Sequence, residues 1–461
     1  MTKHTDQMAA SISSQLADWT VAVDVDRLPP HVLNYARMIL LDVAGLCISA
    51  RNTEYVAATL ATAEPGPCTV LGHAGGTDAY GAALTNGTAA HGEDFDDTFE
   101  GGPVHSGSVV APAVLAAGER FQLSGTDVTA GLVAGIEIQC RLSLVAPKAI
   151  HKAGFHPTAV LGALAAAAGV GRALRLDSRQ IMWAMGIAGS MASGIIEYLA
   201  DGSWTKRMHV GWSAQSGLRA ALMAKGGFVG PATVLEGTHG LYNAFAPGIA
   251  PNYRPLLDSL GEHWHLPTIG FKTYACGTMT QPYIDCAIEL GSKGIDPSNI
   301  DSITCGVGEG TVHRLWEPLA EKQNPPSAYF AKFSAPYCMA VGFFDRAAGL
   351  AQFTDQKVQN EDIRALMRKI SYFIDPGNPY PQRFTGHLCA RLKGGGEIEI
   401  RRNNLRGGMH DPISEDELQA KFFANTSFGG WTDHQSRSLR DFCYSIDRFS
   451  DLSGLQQYRG R

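Results

Sequence analysis

HLCARLKGGGEIEIRRN (residues 387–403) is the stretch that stops the chain from being read as all-helical. It reads as a β-hairpin, with Gly394 to Gly396 supplying the turn. Two β-branched runs upstream, NIDSITCGVG (299–308) and RKISYFIDP (368–376), read as strands. Helical patterns lie among them, in QPYIDCAIELGSKG (281–294) and SAPYCMAVGFFDRAAGLAQF (334–353). The segment therefore predicts a smaller α/β domain over residues 269–408.

On either side the periodicity is helical. PPHVLNYARMILLDVAGLCISA (29–50) opens on prolines that suit a helix start, then places Val32, Ala36, Ile39, Leu40 and Val43 at helical spacing. HPTAVLGALAAAAGVGRAL (156–174) and its neighbours are rich in Ala and Gly, which permits close helix–helix approach. SEDELQAKFFANTS (414–427) returns to helix after the hairpin, with Ser414 as a cap and Glu417 three residues on. The predicted fold is mainly α with an α+β lid. Residues 1–268 and 409–461 form a large helical domain, and 269–408 form the lid, with a cleft between them where a small ligand would bind.

Composition narrows the function. A hydrophobic share of 45% with 18% charged residues is that of a compact folded chain. A net charge of −6, without a Lys/Arg-rich run, argues against nucleic acid and against anionic lipid. The N-terminus lacks a basic stretch followed by an apolar one, and no run of eighteen apolar residues goes unbroken. Neither a secretory leader nor a membrane span is expected. Nine scattered cysteines without a CxxC pair fit a reducing, cytoplasmic setting.

Five segments carry titratable side chains beside Gly or Pro. AHGEDFDDTFEGGPVHSGS (90–108) packs Glu93, Asp94, Asp96, Asp97 and Glu100 into eight positions, then His105 and Ser106 at the start of an apolar helix. Its spacing is not that of a calcium loop, although one or two carboxylates could still hold magnesium. Charge runs are commonly just solvated. A His followed by Ser-Gly-Ser at a helix start, however, offers backbone N–H groups to an anion. His156 precedes Pro157 at another helix start, where it can bind a carboxylate and move a proton or can simply cap a turn. Lys206, Arg207 and His209 follow a Gly turn and suit a polycarboxylate, the bland alternative being a basic turn. GFKTYACGTMTQPY (270–283) holds Lys272, with Cys276 as a remote nucleophile candidate, and AKFSAPYCMAVGFF (331–344) places Tyr337 at a helix head. GVGEGT (306–311) lacks dinucleotide-loop spacing, and HSGS lacks the shape of a serine elbow.

Taken in order, ARMILLDVAG, NGTAAHGEDFDDT, HPTAVLGALAAAA, SWTKRMHVGWSAQSGLRAA, GFVGPATVLEGTHGLYNAF, FKTYACGTMTQPYIDCA and DPISEDELQAKF resemble the MmgE/PrpD family over nearly the whole chain. Members of that family dehydrate 2-methylcitrate, decarboxylate cis-aconitate or epimerise iminodisuccinate. The resemblance implies a homodimer of two-domain subunits with a metal-free, cofactor-free site at the domain interface. It carries site roles onto Asp94, Thr98, His105, His156, Lys206 with Arg207 nearby, Lys272 and Tyr337. The Thr98-to-His105 spacing is one longer than in the decarboxylase branch. Where that branch has two histidines beyond the lysine, this chain has Gly277 and Gln281.

These readings converge on a small di- or tricarboxylate as partner. Lys206, Arg207 and Lys272 would stabilise enolate-like charge, assisted by Thr98, Ser106 and His209. His105 or His156 would be acid or base, Asp94 would orient a His or protonate a leaving hydroxyl, and Tyr337 would give the second proton. Only part of the acid cluster is expected to engage, the rest facing solvent. The expected reaction is dehydration; epimerisation, decarboxylation and a catalytically silent binder are the alternatives.

Overall fold

The computed structural model describes residues 11–460, so the first ten residues, part of the segment examined for a leader, lie outside it. The described chain divides into two compact units. One comprises the residues up to Gly92, Asp96–Ile269 and everything from Glu415 on; the other comprises Glu93–Phe95 and Gly270–Ser414.

The first unit is a helical bundle. Helix α1 (Pro30–Ala50) starts with proline at its first position and is buried on every side from Met38 to Ala50. It is followed by α2 (Ala79–Gly92), α3 (Ser106–Phe121), α4 (Gly125–Val145), α5 (Pro157–Ala173), α6 (Ser178–Met191) and α7 (Thr205–Lys225). Their caps are local and readable. Ser124 accepts from the Asp127 N–H at the head of α4, and Asp177 with Gln180 forms a capping box on α6.

The small residues do what their spacing suggests. A methyl carbon added at Gly87 of α2 would lie 2.6 Å from the Gly211 Cα of α7, and one added at Gly131 of α4 would lie 2.4 Å from the Gly169 carbonyl oxygen of α5. The helices therefore meet backbone to backbone, closer than side chains at the contact would allow. By length and composition alone, α1 and α4 are long and apolar enough to cross a membrane. Their most apolar windows are 78% and 94% buried inside the protein, as befits core helices.

The second unit carries one four-stranded sheet. Strand β1 (Ile300–Val307) pairs in parallel with β2 (Ile370–Ile374) and antiparallel with β3 (Gly386–Leu392), which in turn pairs antiparallel with β4 (Glu397–Arg402). The order is β2-β1-β3-β4. The hairpin runs from Gly386↔Arg402 to Arg391↔Glu397. Gly395 and Gly396 take φ of +83° and +96°, where a side chain would be strained. Helices α8 (Gln281–Ser292) and α9 (Ala335–Asp345) pack together in this unit, and Ser334 caps α9 through the Tyr337 N–H.

The chain re-enters the first unit through α10 (Glu415–Phe428) and α11 (Asp433–Tyr444). Lys421 of α10 makes a buried ion pair with Asp42 of α1 at 2.7 Å, and Phe422 fills the space left by Gly45. The molecule is thus mostly helical, with a smaller α/β part.

Candidate active site

The acid-rich stretch is not a solvated loop. Asp94, Asp96 and Asp97 are all buried, so the expectation that part of this cluster faces solvent fails for the aspartates. Only Glu93 and Glu100 keep intermediate exposure. Burying three adjacent carboxylates demands partners for each.

In the first unit those partners are imidazoles and a helix start. His91, in the last turn of α2, sets its Nδ1 2.8 Å from Asp96 Oδ2. The other oxygen of Asp96 lies 3.4 Å from His105 Nδ1. Asp97 accepts from the Gly107 N–H at 3.0 Å, so its own carboxylate fills the anion seat at the head of α3. Burial, followed by the Asp96 charge, pushes the Asp97 carboxyl above the usual range.

His105 arrives at the head of α3 through a short reversal in which the Phe99 N–H donates to the Val104 carbonyl. Its Nδ1 is 2.7 Å from the Asp97 carbonyl oxygen. A carbonyl only accepts, so Nδ1 carries a hydrogen whether the ring is neutral or protonated, and Nε2 is the atom left to exchange a proton. Thr98 Oγ1 lies 3.4 Å from the same Nδ1, and Thr158 of α5 accepts from the His105 N–H at 3.3 Å.

His156 caps α5 just before Pro157, its N–H donating to the Gly194 carbonyl at 2.8 Å. Its Nδ1 faces His209 Nδ1 at 3.4 Å. Ring centroids are 4.7 Å apart for His91 and His105, 5.7 Å for His91 and His156, 6.3 Å for His105 and His156, and 5.5 Å for His156 and His209. Four buried imidazoles thus form one cluster. Burial, then the neighbouring His91 and Lys206, hold His156 well below its ordinary pKa and take His209 down to about 4. Both rings are neutral near pH 7.

Lys206 and Arg207 open α7. Arg207 stacks its guanidinium 4.3 Å from the centre of the Tyr55 ring. Ser106 is fully buried, with Oγ 3.8 Å from Cys140 Sγ in the interior of the bundle.

In the second unit, Asp94 takes a φ of 55°, unusual for a residue with a side chain. Lys272 donates to its carbonyl at 2.9 Å and pairs with its Oδ1 at 3.2 Å. Lys332 treats Glu93 alike, at 2.7 Å to the carbonyl and 2.8 Å to Oε2. Tyr337 is buried and donates its O–H to the Gln352 carbonyl at 2.5 Å. Cys276 is also buried, with Thr280 Oγ1 3.0 Å from its sulfur. Gln281 accepts from the Thr273 N–H at 3.3 Å, while Gly277 is buried, a methyl carbon added there meeting Phe333 at 3.5 Å, an ordinary contact distance.

The first unit therefore brings His105, His156 and His209 together with Thr98 beside His105, and the second pairs Asp94 with Lys272. His91 and Lys332 escaped the reading from sequence, and Asp96 was named there only as one of the acid cluster. The available signal was position: His91 stands in the same AHGEDFDD stretch, and Lys332 precedes Tyr337 in AKFSAPY. For a metal ion, His91, His105 and His156 each offer a ring nitrogen, all within 4.8 Å of one another.

A family model described as the MmgE/PrpD N-terminal domain matches residues 14–254, and one described as the MmgE/PrpD C-terminal domain matches 274–440. A cis-aconitate decarboxylase of Aspergillus terreus is 29% identical, the match covering 99% of this chain and 97% of that protein. The cis-aconitate decarboxylase of Mus musculus is 28% identical, over 91% of this chain and 88% of its own. That of Homo sapiens is 28% identical over 75% and 72%.

Proposed function

Because this chain belongs to the MmgE/PrpD family, we propose that it is a lyase acting on a small polycarboxylate, and that its reaction is dehydration of a 2-methylcitrate-like hydroxy acid. The observation that carries this reading is the buried imidazole cluster, with His105 and His156 held by defined hydrogen bonds and Lys206 acting on His156 and His209. A carbon next to a carboxylate is a weak acid. Removing its proton calls for a neutral base and for fixed cations where enolate-like charge develops.

In this mechanism Lys206 and Arg207 bind the substrate carboxylates. Neutral His156 takes the proton from the carbon, and the C–H electron pair forms the double bond. The hydroxyl leaves as water with a proton from His105, whose imidazolium form is stabilised by Asp96 at 3.4 Å. His91 shares the Asp96 carboxylate and fixes its orientation. The cycle closes when His156 gives up that proton and His105 takes one back, directly or through solvent.

Decarboxylation of a cis-aconitate-like acid is the second reading, favoured by the names of the relatives. Against it stands position 277, where this chain has a glycine instead of a side chain able to deliver a proton. The test is incubation in D₂O with 2-methylcitrate, citrate, cis-aconitate and iminodisuccinate, read by mass spectrometry. Loss of water supports dehydration, loss of CO₂ the second reading, and deuterium gain alone an epimerase. If none of the four acids changes mass, the proposal fails.

A further inference from the structure

We infer that His91, His105 and His156 form a binding site for a divalent transition-metal ion of the zinc type, and that an ion bound there excludes turnover. The first argument is convergence. One ring nitrogen from each residue lies within 4.8 Å of the others. An ion about 2.1 Å from each of three imidazole nitrogens in tetrahedral array places the ring centres about 5 Å apart. The observed separations of 4.7, 5.7 and 6.3 Å bracket that value, so modest ring rotations would close the site.

The second argument is orientation. Histidines that ligate metals almost always donate their other ring N–H to a carboxylate or a backbone carbonyl, which fixes the tautomer. His91 does so to Asp96 at 2.8 Å and His105 does so to the Asp97 carbonyl at 2.7 Å. The third leg, His156, is anchored through its backbone on Gly194 and faces His209 with Nδ1. Three imidazoles with one open position are the donor set of zinc, cobalt or nickel and a poor one for magnesium or calcium. A tenth of the His105 side chain is exposed.

The exclusion of turnover rests on the function proposed above. An ion on His105 and His156 occupies the ring nitrogens that would give and take the substrate protons. The site itself does not depend on that reading.

The experiment is a titration of the chelator-stripped full-length protein with Co²⁺, followed by visible absorption. One equivalent should bind with the intense bands of a four-coordinate ion, and Zn²⁺ should displace it. His91→Asn and His156→Asn should each weaken binding at least tenfold, whereas His434→Asn, at an exposed position, should leave it unchanged. X-ray absorption of the Zn²⁺-loaded unsubstituted protein should count three imidazoles, which decides the matter if a variant does not fold. Absence of saturable binding, equal binding in both variants, or fewer than three imidazoles overturns the site. If Co²⁺ binds as expected but leaves water loss from the substrate panel unaffected, the exclusion falls while the site stands. If no acid in the panel reacts, the Co²⁺ result still decides the site by itself.

Discussion

Replacing Arg141 by Met should be among the most destabilising single changes in the first unit. Arg141 and Glu137 lie one turn apart on α4, each about 1% exposed, with Nε donating to Glu137 Oε1 at 2.7 Å. The remaining guanidinium hydrogens go to the carbonyls of Pro255, Asp258, Ser259 and His263, at 2.9, 3.0, 3.4 and 2.7 Å. Glu137 Oε2 accepts from the N–H groups of His265 and Leu266. The pair therefore clamps the irregular segment 255–266 onto the bundle. Removing one partner of a buried ion pair costs about 3–5 kcal/mol. At about 2–4 °C per kcal/mol this is a fall in Tm of roughly 10 °C, read by thermal unfolding.

The pH dependence gives a second handle. Burial raises the Glu137 carboxyl above its ordinary value, and Arg141 is the chief influence pulling it back. A raised carboxyl costs nothing while protonated in both states. Its penalty accrues as pH rises through the unfolded value to the folded one, and stays in force above. Removing Arg141 raises the carboxyl further, so the deficit of the variant should be smaller near about pH 5 than near about pH 8. A loss of stability below about 1 kcal/mol, or a deficit that grows on acidification, would refute the reasoning.

Three further outcomes follow from the geometry. Lys206→Met should lower kcat/KM on the responding polycarboxylate by about 10²–10³ while leaving the circular dichroism spectrum unchanged, and a change below about threefold would remove Lys206 from the site. Gly211→Ala puts a methyl carbon 2.0 Å from the Leu84 carbonyl oxygen and should cost at least about 1–3 kcal/mol by prying α2 from α7, as measured by denaturant unfolding. Gly277→His sits at a φ of −56° that any side chain adopts, and its Cβ comes no closer than 3.5 Å to Phe333, so the variant should fold. It should raise the share of CO₂ among the products of cis-aconitate, and an unchanged product ratio would show that position 277 does not decide the reaction.

The hairpin at 386–402 was legible because everything that makes it is local: two alternating runs and a glycine turn. So was the head of α5, where His156 and Pro157 announce a helix start. The parallel pairing of β1 with β2 was not, because Ile303 and Ile370 are brought together by packing of the intervening helices and no local pattern records it. The acid stretch shows the same division. Its residues suggested part of an acid/base site with the remaining carboxylates facing solvent, yet Asp94 and Glu93 are held by Lys272 and Lys332, 178 and 239 positions further along the chain.

Local periodicity, caps and turns, together with the ordered motifs, determined by themselves the helix-rich class, the α/β segment and the candidate histidines and lysines. Burial decided the rest. Whether Asp96 faces water or His91, and whether His156 and His209 stay neutral with their ring centroids 5.5 Å apart, depends on which helices exclude solvent around them. Desolvation belongs to the whole packed unit, and no short stretch of the chain encodes it.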